Sequence, residues 1–527
     1  MDSLLHSYSI NLVLFAASLY IVVGPRLAAL TFWYEFYYDV VCKGRFSWKI
    51  QELHQRYGPV VRINPQELHV ADPAFYDSVY VGPGRRTEKW EYSARMFGTT
   101  MAAVGTTGHE LHRIRRSALN GFFSKRAVTN IAPTIQELAH HGCDLVRRRG
   151  AEGRELNLRN FFFAFSADVV GQVAFGSNYG LLDKESFEPG WQKLMMDLSS
   201  GTHLMKQFPW AYHLLKTIPP GLVSLFHPPG TRLFNIRNDI KLKIEETRKT
   251  LDYEKVDEEK GIQHSTSSRT ALHTLLTSSL PAPELQTPRL EDEAFTLLGA
   301  GTITTAHTLT TILYHVLANS TIKSRLEFEL SSLESTFPPG TSRPSLADLE
   351  KLPYLQAITS EGLRLSFGVS HRLPRISPDT TLHYSGSFND REYKYTIPPG
   401  VPISMTPMFM HLNPHNFPNP HTFDPSRWLS SRSSSNDAGE EEEELKRRKT
   451  YLVPFSKGTR ACAGIWLAYA ELYVMIGALF GEKGVGRRME LFETGAEDVE
   501  CAHDFFNPSP RLDSKGLRVV LKEEKSK

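Results

Sequence analysis

Cysteine is scarce in this chain of 527 residues: Cys42, Cys143, Cys462 and Cys501 are the only four. They lie too far apart to form a CxxC metal pair or the dense disulfide framework of a small secreted domain, so a reducing compartment fits best. An excess of charge of either sign is also missing. Lys and Arg total 60 against 58 for Asp and Glu, which excludes a nucleic-acid surface built on counterion release. Most of the chain has no low-complexity bias, and no internal repeat of fixed period is visible. With 41% hydrophobic and 22% charged residues, the composition is that of a globular protein able to bury a large core.

A further absence lies at the start. From Ser3 to Pro25 there is no Lys, Arg, Asp or Glu, and LVLFAASLYIVV, from Leu12, is its densest apolar part. About 20 helical residues at roughly 1.5 Å each span a bilayer core. Residues 1–26 are therefore expected to be an N-terminal membrane anchor helix, ahead of one catalytic unit at 27–527. A buried core helix or a cleaved signal peptide is the alternative, since Ser7, Ser9 and Asn11 dilute the run. Arg26, Lys43, Arg45 and Lys49 follow the segment and none precedes it, which places the bulk of the chain in the cytosol. The expected location is the endoplasmic reticulum membrane.

Beyond the apolar segment the chain reads as mostly helical. Tyr57 to Asp72 is an exception, with the pattern strand, Asn-Pro turn, strand. From His109 to Leu330 apolar residues recur at three- and four-residue steps, with turns at Pro209, Pro219-Pro220 and Pro228-Pro229. Asp252 to Ser268 reads as a surface loop. Ser430 to Lys449, with a serine run followed by acidic and basic blocks, reads as a solvated insertion.

The informative cysteine is Cys462, in FSKGTRACAG just before the apolar run IWLAYAELYVMIGALF. A thiolate at a helix amino terminus is favoured by free N–H groups and the macrodipole, so Cys462 suits an anionic metal ligand. Gly458 permits a tight turn, Gly464 allows close approach to a flat ring, Arg460 offers a fork for a carboxylate, and Phe455 shields the sulfur. A buried structural cysteine in a glycine loop would not require these four neighbours together.

The segment matches every fixed position of the cytochrome P-450 signature F-x-x-G-x-R-x-C-x-G, and the chain resembles that family of haem-thiolate monooxygenases. The resemblance implies a mainly α fold, a helical body with a small β region, holding haem b through the Cys462 thiolate, which pushes electron density that favours O–O cleavage. Two further segments fit. Glu361 and Arg364 are three apart on one helix face, and most such pairs are solvated surface contacts. Here, however, FDPSRW lies between them and the cysteine, so Arg427 resembles the third member of a structural network. Arg375, in RLPR, stands where relatives reach a haem propionate; a plain surface arginine is the alternative. In HELHRIRRSAL, His112 and Arg116 take the places of a family W-x-x-x-R that contacts propionates, against the reading of a solvated basic helix.

On the oxygen side, AFTLLGAGTITTAHTLTTILYHV resembles the family helix carrying A-G-x-[DE]-T-[TS]. Small residues at Ala300 and Gly301 leave room for dioxygen, and the Thr304 hydroxyl is the catalytic candidate. The competing reading is threonines back-bonding to carbonyls four residues earlier. Ile303 replaces the customary acid, which puts the proton relay in doubt; restoring it with Ile303→Glu is expected to improve coupling if protonation is limiting. The pocket is expected to draw on Arg95 to Thr107, Gly201 to Leu225, Phe367 to His371 and Phe506 to Asp513. YYDVVCKGRFSW and HRIRRSALNGFFSKRAV are similar to fungal members of the trichodiene oxygenase type. That likeness implies hydroxylation or epoxidation of a lipophilic terpenoid or related secondary metabolite, with O₂ and electrons from an NADPH-dependent reductase. A haem-thiolate isomerase or dehydratase acting on a peroxide, or a haem protein binding ligands without turnover, are the alternatives.

Overall fold

The segment LRNFFFAFSADVVGQVAF is apolar on every side, and a helix without a polar face must be enclosed. In the computed structural model it forms helix Leu158–Phe175, with Phe161, Phe162, Phe163 and Phe165 all buried. Asn157 caps its start by accepting from the N–H groups of Arg159 and Asn160, and Gly176, left-handed at φ 78°, ends it. The long helix Thr287–Ala318 runs against it. Helices Lys125–Gly150 and Ile465–Phe480 complete the central bundle, whose side chains merge into one apolar core. Each fully buried phenylalanine contributes roughly 1.5–3 kcal/mol. The structure describes residues 24–151, 153–210, 228–259, 270–338, 343–430 and 438–523.

The β region is small and lies to one side. Val60–Arg62 pairs antiparallel with Leu68–Val70 in the expected hairpin, Val60 opposite Val70. Asn64 turns the chain by accepting from the N–H groups of Gln66 and Glu67. Leu68–Val70 runs parallel to Pro402–Ser404, which pairs antiparallel with Arg375–Ile376. Of the remaining strands, the hairpin His503–Phe505 and Asn507–Ser509 matters most, because its tip reaches the central cavity.

Three sequence readings change. Asp252 and the residues to Glu259 continue helix Pro228–Glu259, because Lys and Glu are good helix formers; 260–268 lie outside the described residues. Pro228 and Pro229 open that helix instead of marking a turn, since a first-turn proline loses no hydrogen bond. The acidic and basic blocks form helix Ala438–Tyr451, in which Glu444 pairs with Arg447 and Arg448, three and four residues on. Leu445 in that helix packs toward Phe417 and Trp428. The expected anchor lies outside the described residues apart from 24–26; among the described residues no helix is long and apolar enough to cross a membrane.

Candidate active site

The Cys462 loop is shaped by what surrounds its backbone. Gly458 adopts φ 78°, and a Cβ there would lie 2.3 Å from the carbonyl oxygen of Val81, so no other residue fits. The Thr459 N–H donates to that Val81 oxygen at 3.1 Å, and the Cys462 N–H donates to Phe455 O at 2.9 Å. Gly464 caps helix Ile465–Phe480, and a Cβ on it would meet no protein atom within 4 Å. Phe455 rests against the Tyr469 ring, 5.4 Å between centroids. The Cys462 side chain is exposed to a cavity of about 320 Å³ that Phe455, Arg460, Gly464, His112, Arg116, Gly301, Thr304 and Arg375 also line. Burial pushes the Cys462 thiol up, against the opposing pull of the Gly464 N–H and of Arg116.

One end of the cavity is crowded with positive charge. Lys89, Arg116, Arg375 and Arg460 line it, and among the described residues none forms an ion pair with a carboxylate. Their hydrogen bonds go to neutral acceptors. Arg460 forks to the carbonyl oxygens of Thr106 at 2.7 Å and Thr107 at 2.6 Å; Arg116 donates to Asn120 Oδ1 at 2.9 Å, and Arg375 to Pro374 O at 3.0 Å. Arg460 Nε is buried without any partner. Burial and the neighbouring cations hold Lys89 well below the ordinary lysine range, pull Arg460 down to about 9 and hold His112 down at about 3, so the imidazole is neutral. A concentration of unpaired cations in a dry site calls for an anion. Two propionates at the edge of a ring whose metal meets Cys462 supply it, so these residues fit haem. Lys89 was not foreseen; nothing in EKWEY sets it apart from a surface lysine.

The opposite wall is helix Thr287–Ala318. Ala300 and Thr304 face the cavity, and the Thr304 hydroxyl donates to Ala300 O at 2.8 Å. Back-bonding of this kind recurs at Thr302, Thr308, Thr310 and Thr311. Thr304 therefore presents a hydroxyl oxygen to the cavity while its proton is directed at the helix. Gly301 lines the cavity beside Val170, and a methyl at 301 would sit 2.5 Å from Val170 Cγ2. Ile303 points away from the cavity into the apolar core, 8% exposed. An acid at 303 would be buried among hydrocarbon, which argues against the coupling gain expected of Ile303→Glu. The polar groups of this helix that line the cavity are instead Thr304, Thr305 and Thr308, the last within 3.0 Å of Ser366 Oγ, and, nearer the start of the helix, Thr296 and Glu293, whose carboxylate is paired with Arg289. Phe97, Ala103 and Val104, Gly368 and Val369, and Phe506 line the cavity from three of the expected segments. In the fourth, no described residue does, and 211–225 lie outside the described residues.

Behind the loop, Glu361, Arg364 and Arg427 come together. Arg364 donates to both Glu361 oxygens, at 2.9 and 2.7 Å, and to the carbonyl oxygens of His411 and Thr422 at 3.0 Å. Arg427 Nε donates to Glu361 Oε1 at 3.3 Å. Trp428 Nε1 adds a bond to Oε2 at 2.9 Å, a fourth member already present in FDPSRW.

The bundle, the thiol at a helix start and the cationic rim together define a thiolate-ligated haem oxidoreductase. Residues 25–482 match the cytochrome P450 family profile, and the chain belongs to that family. It is 41% identical over 505 residues to a tryptophan 6-hydroxylase of Fusarium equiseti, and 40% identical over 504 to an N-acetyltryptophan 6-hydroxylase of Emericella nidulans. Each alignment covers 95% of this chain and 92% of the relative. In fold it is similar to a cyanobacterial CYP120A1 with retinoic acid bound, at TM-score 0.64, 20% identity, and 90% and 93% coverage of the two chains. The protein is a cytochrome P450 monooxygenase, and its cofactor is haem.

Proposed function

We propose that the protein hydroxylates or epoxidises a lipophilic, ring-bearing small molecule of secondary metabolism, using O₂ and electrons from an NADPH-dependent reductase. The carrying observation is the apolar wall opposite Cys462: Met96, Phe97, Val104, Leu297, Val369 and Phe506 enclose the space in front of Ala300 and Thr304. Phe97 and Phe506 meet edge to face, 4.6 Å between centroids, a geometry that suits a flat or fused ring. Bound haem supplies the oxygen-activating iron, held through Cys462, with Lys89, Arg116, Arg375 and Arg460 taking the propionates. The chain's own residues orient the substrate, exclude water and offer the hydroxyls of Thr304, Thr305 and Thr308 for proton delivery in place of the acid missing at 303.

The named relatives act on tryptophan and N-acetyltryptophan, so an indole is one candidate ring class for this cavity and a terpenoid another. A carbon monoxide difference spectrum of wild type and Cys462→Ala tests the ligand: the thiolate-type Soret band is expected in the first and lost in the second. Titration with N-acetyltryptophan and with a sesquiterpene then separates the substrate classes by which one shifts the resting spectrum. The burial of Ile303 favours one second reading, peroxide rearrangement without reductase. Product formed from a hydroperoxide in the absence of NADPH would support it.

We further propose that this protein works at a membrane, with the endoplasmic reticulum as its expected place. Leu27, Leu30, Trp33, Tyr37 and Val41 recur every three or four residues and are all more than half exposed. Trp33 continues through Phe208 at 6.1 Å to Trp210, making an apolar face that suits a bilayer. Co-sedimentation of residues 24–527 with phosphatidylcholine vesicles should drop when Trp33 and Trp210 are changed to Ser; unchanged sedimentation would remove this support.

A further inference from the structure

A second cavity stands on the other side of the hairpin that roofs the haem site. Phe506 faces the haem cavity, while Phe505, its neighbour, lines an outer cleft of about 490 Å³. Met196 and Leu204, from helix Pro189–Gln207, add to the apolar wall.

The charges of the cleft do not cancel. Lys193 is paired with Asp197 at 3.2 Å and Arg511 with Asp498 at 3.0 Å. Lys43 and Arg159 also line the cleft, and among the described residues their side chains have no hydrogen bond and no ion pair. Arg159 is set deep. Burial pulls its guanidinium down to about 10, and its charge adds to the burial that holds His307, in the central helix, neutral. A half-buried guanidinium without a partner on the protein is open to a ligand, and a bidentate carboxylate is the group that its fork matches. Asp39, 2% exposed, also lines the cleft. Its Oδ2 accepts from Lys206 at 3.1 Å, and its Oδ1 is buried with no partner.

We infer that this cleft is a second binding site, for an amphipathic organic acid. Its carboxylate meets Arg159, with Lys43 at the rim, and its apolar body lies on Met196, Leu204 and Phe505. The site is separate from the haem cavity and does not depend on which substrate is oxidised there.

The test uses holoenzyme whose haem cavity is filled with a tightly bound azole, followed by its spectrum, with decanoate and uncharged 1-decanol as probes in equilibrium dialysis. Wild type is expected to bind about one decanoate per chain. Arg159→Gln should weaken decanoate at least about tenfold while leaving decanol unchanged, and Arg159→Lys should recover part of the loss. Lys43→Gln, a rim change that leaves the core intact, should weaken decanoate by about two- to threefold, and added salt should weaken decanoate but not decanol. No saturable decanoate binding to the azole-filled wild type would overturn the inference. So would equal binding in Arg159→Gln, or, should that variant not yield holoenzyme, decanoate binding insensitive to both Lys43→Gln and salt.

Discussion

Two buried charge clusters hold this protein together, and they are built on different plans. Behind the cysteine loop, Glu361 is surrounded by Arg364, Arg427, Trp428 and the Asp424 N–H, so each carboxylate oxygen is satisfied. Under the amino-terminal segment, four buried acids, Glu35, Asp39, Glu67 and Asp504, surround two cations, Lys206 and Arg372, with His203 and His371 among them. Burial works against the charge of Glu35, but Arg372 and Lys206 outweigh it and hold that carboxyl low; burial pushes Glu67 up, and Glu35 adds to this. The first cluster is closed. The second has more acid than its cations balance and keeps loose ends at Asp39 Oδ1 and His203 Nδ1. In a closed cluster every member is needed, whereas in an acid-rich one the cations are needed and an acid can be spared.

The largest expected effect comes from the closed cluster. Arg364→Ala leaves Glu361 buried with only Arg427 to oppose it and should cost about 3–5 kcal/mol, read as loss of holoprotein in a carbon monoxide spectrum and a lower urea midpoint. Glu361→Gln should be comparably harmful. In the second cluster Lys206→Met should cost less, about 2–4 kcal/mol, because Arg372 still holds Glu35 at close range. Asp39→Asn there should change stability by less than about 1 kcal/mol. If Asp39→Asn proves as damaging as Glu361→Gln, the contrast between the clusters fails.

The pH dependence sharpens the same contrast. His371, in the acid-rich cluster, is held down at about 4 chiefly by burial, and His411, bonded to the Arg364 carbonyl, at about 3. Both are neutral in the fold and gain a proton near 6.5 on unfolding. The unfolded state therefore binds more protons below that pH, and stability falls as pH drops from about 6.5 toward 4. Thermal midpoints measured from pH 7.5 to 5 should decline, and His371→Asn should flatten the decline in part. A midpoint constant over that range would contradict the neutral buried histidines.

Two further changes concern single contacts. Trp428→Phe removes one charge-assisted hydrogen bond from Glu361 and should cost about 1.5–3 kcal/mol. Ile303→Glu places a carboxyl in the apolar core; about 1–3 kcal/mol of lost stability is expected, with no gain in NADPH coupling. Better coupling at unchanged stability would show that position 303 reaches the cavity after all.

These clusters also show how far the sequence could be read. Glu361 and Arg364 lie one helix turn apart and the cysteine loop is one tight loop, so each is visible in a short segment, whereas Arg427, 63 residues further on, was joined to them only through the resemblance to the family. The helical body and the Asn-Pro hairpin were legible for the same reason: periodicity and turn chemistry act over a few residues. Glu35, Asp39, Lys206, Arg372 and Asp504 gave no such signal, because each sits in an ordinary local context and its partners are hundreds of positions away. For Thr304 both the cavity-facing hydroxyl and the back-bond were legible as alternatives, and only the helix in place shows the hydroxyl donating to Ala300 O. The charged blocks before Tyr451 are largely exposed, as read, but their three- and four-residue pairs close a helix and Leu445 packs toward Trp428, which the composition did not announce.

What the sequence determined by itself is the chemistry: a thiol placed at a helix start between glycines and an arginine, and a helix of small and hydroxylic residues to face it. Local spacing is enough for that, because each motif carries its own geometric reason. Only the tertiary structure decided how charge is distributed around the chemistry. It gathered Lys89 with Arg116, Arg375 and Arg460 into a rim that demands an anion, turned Ile303 into the core, and left Arg159 without a partner in a second cleft. Burial and long-range proximity set the energy of a charge, and neither is written in the neighbours along the chain.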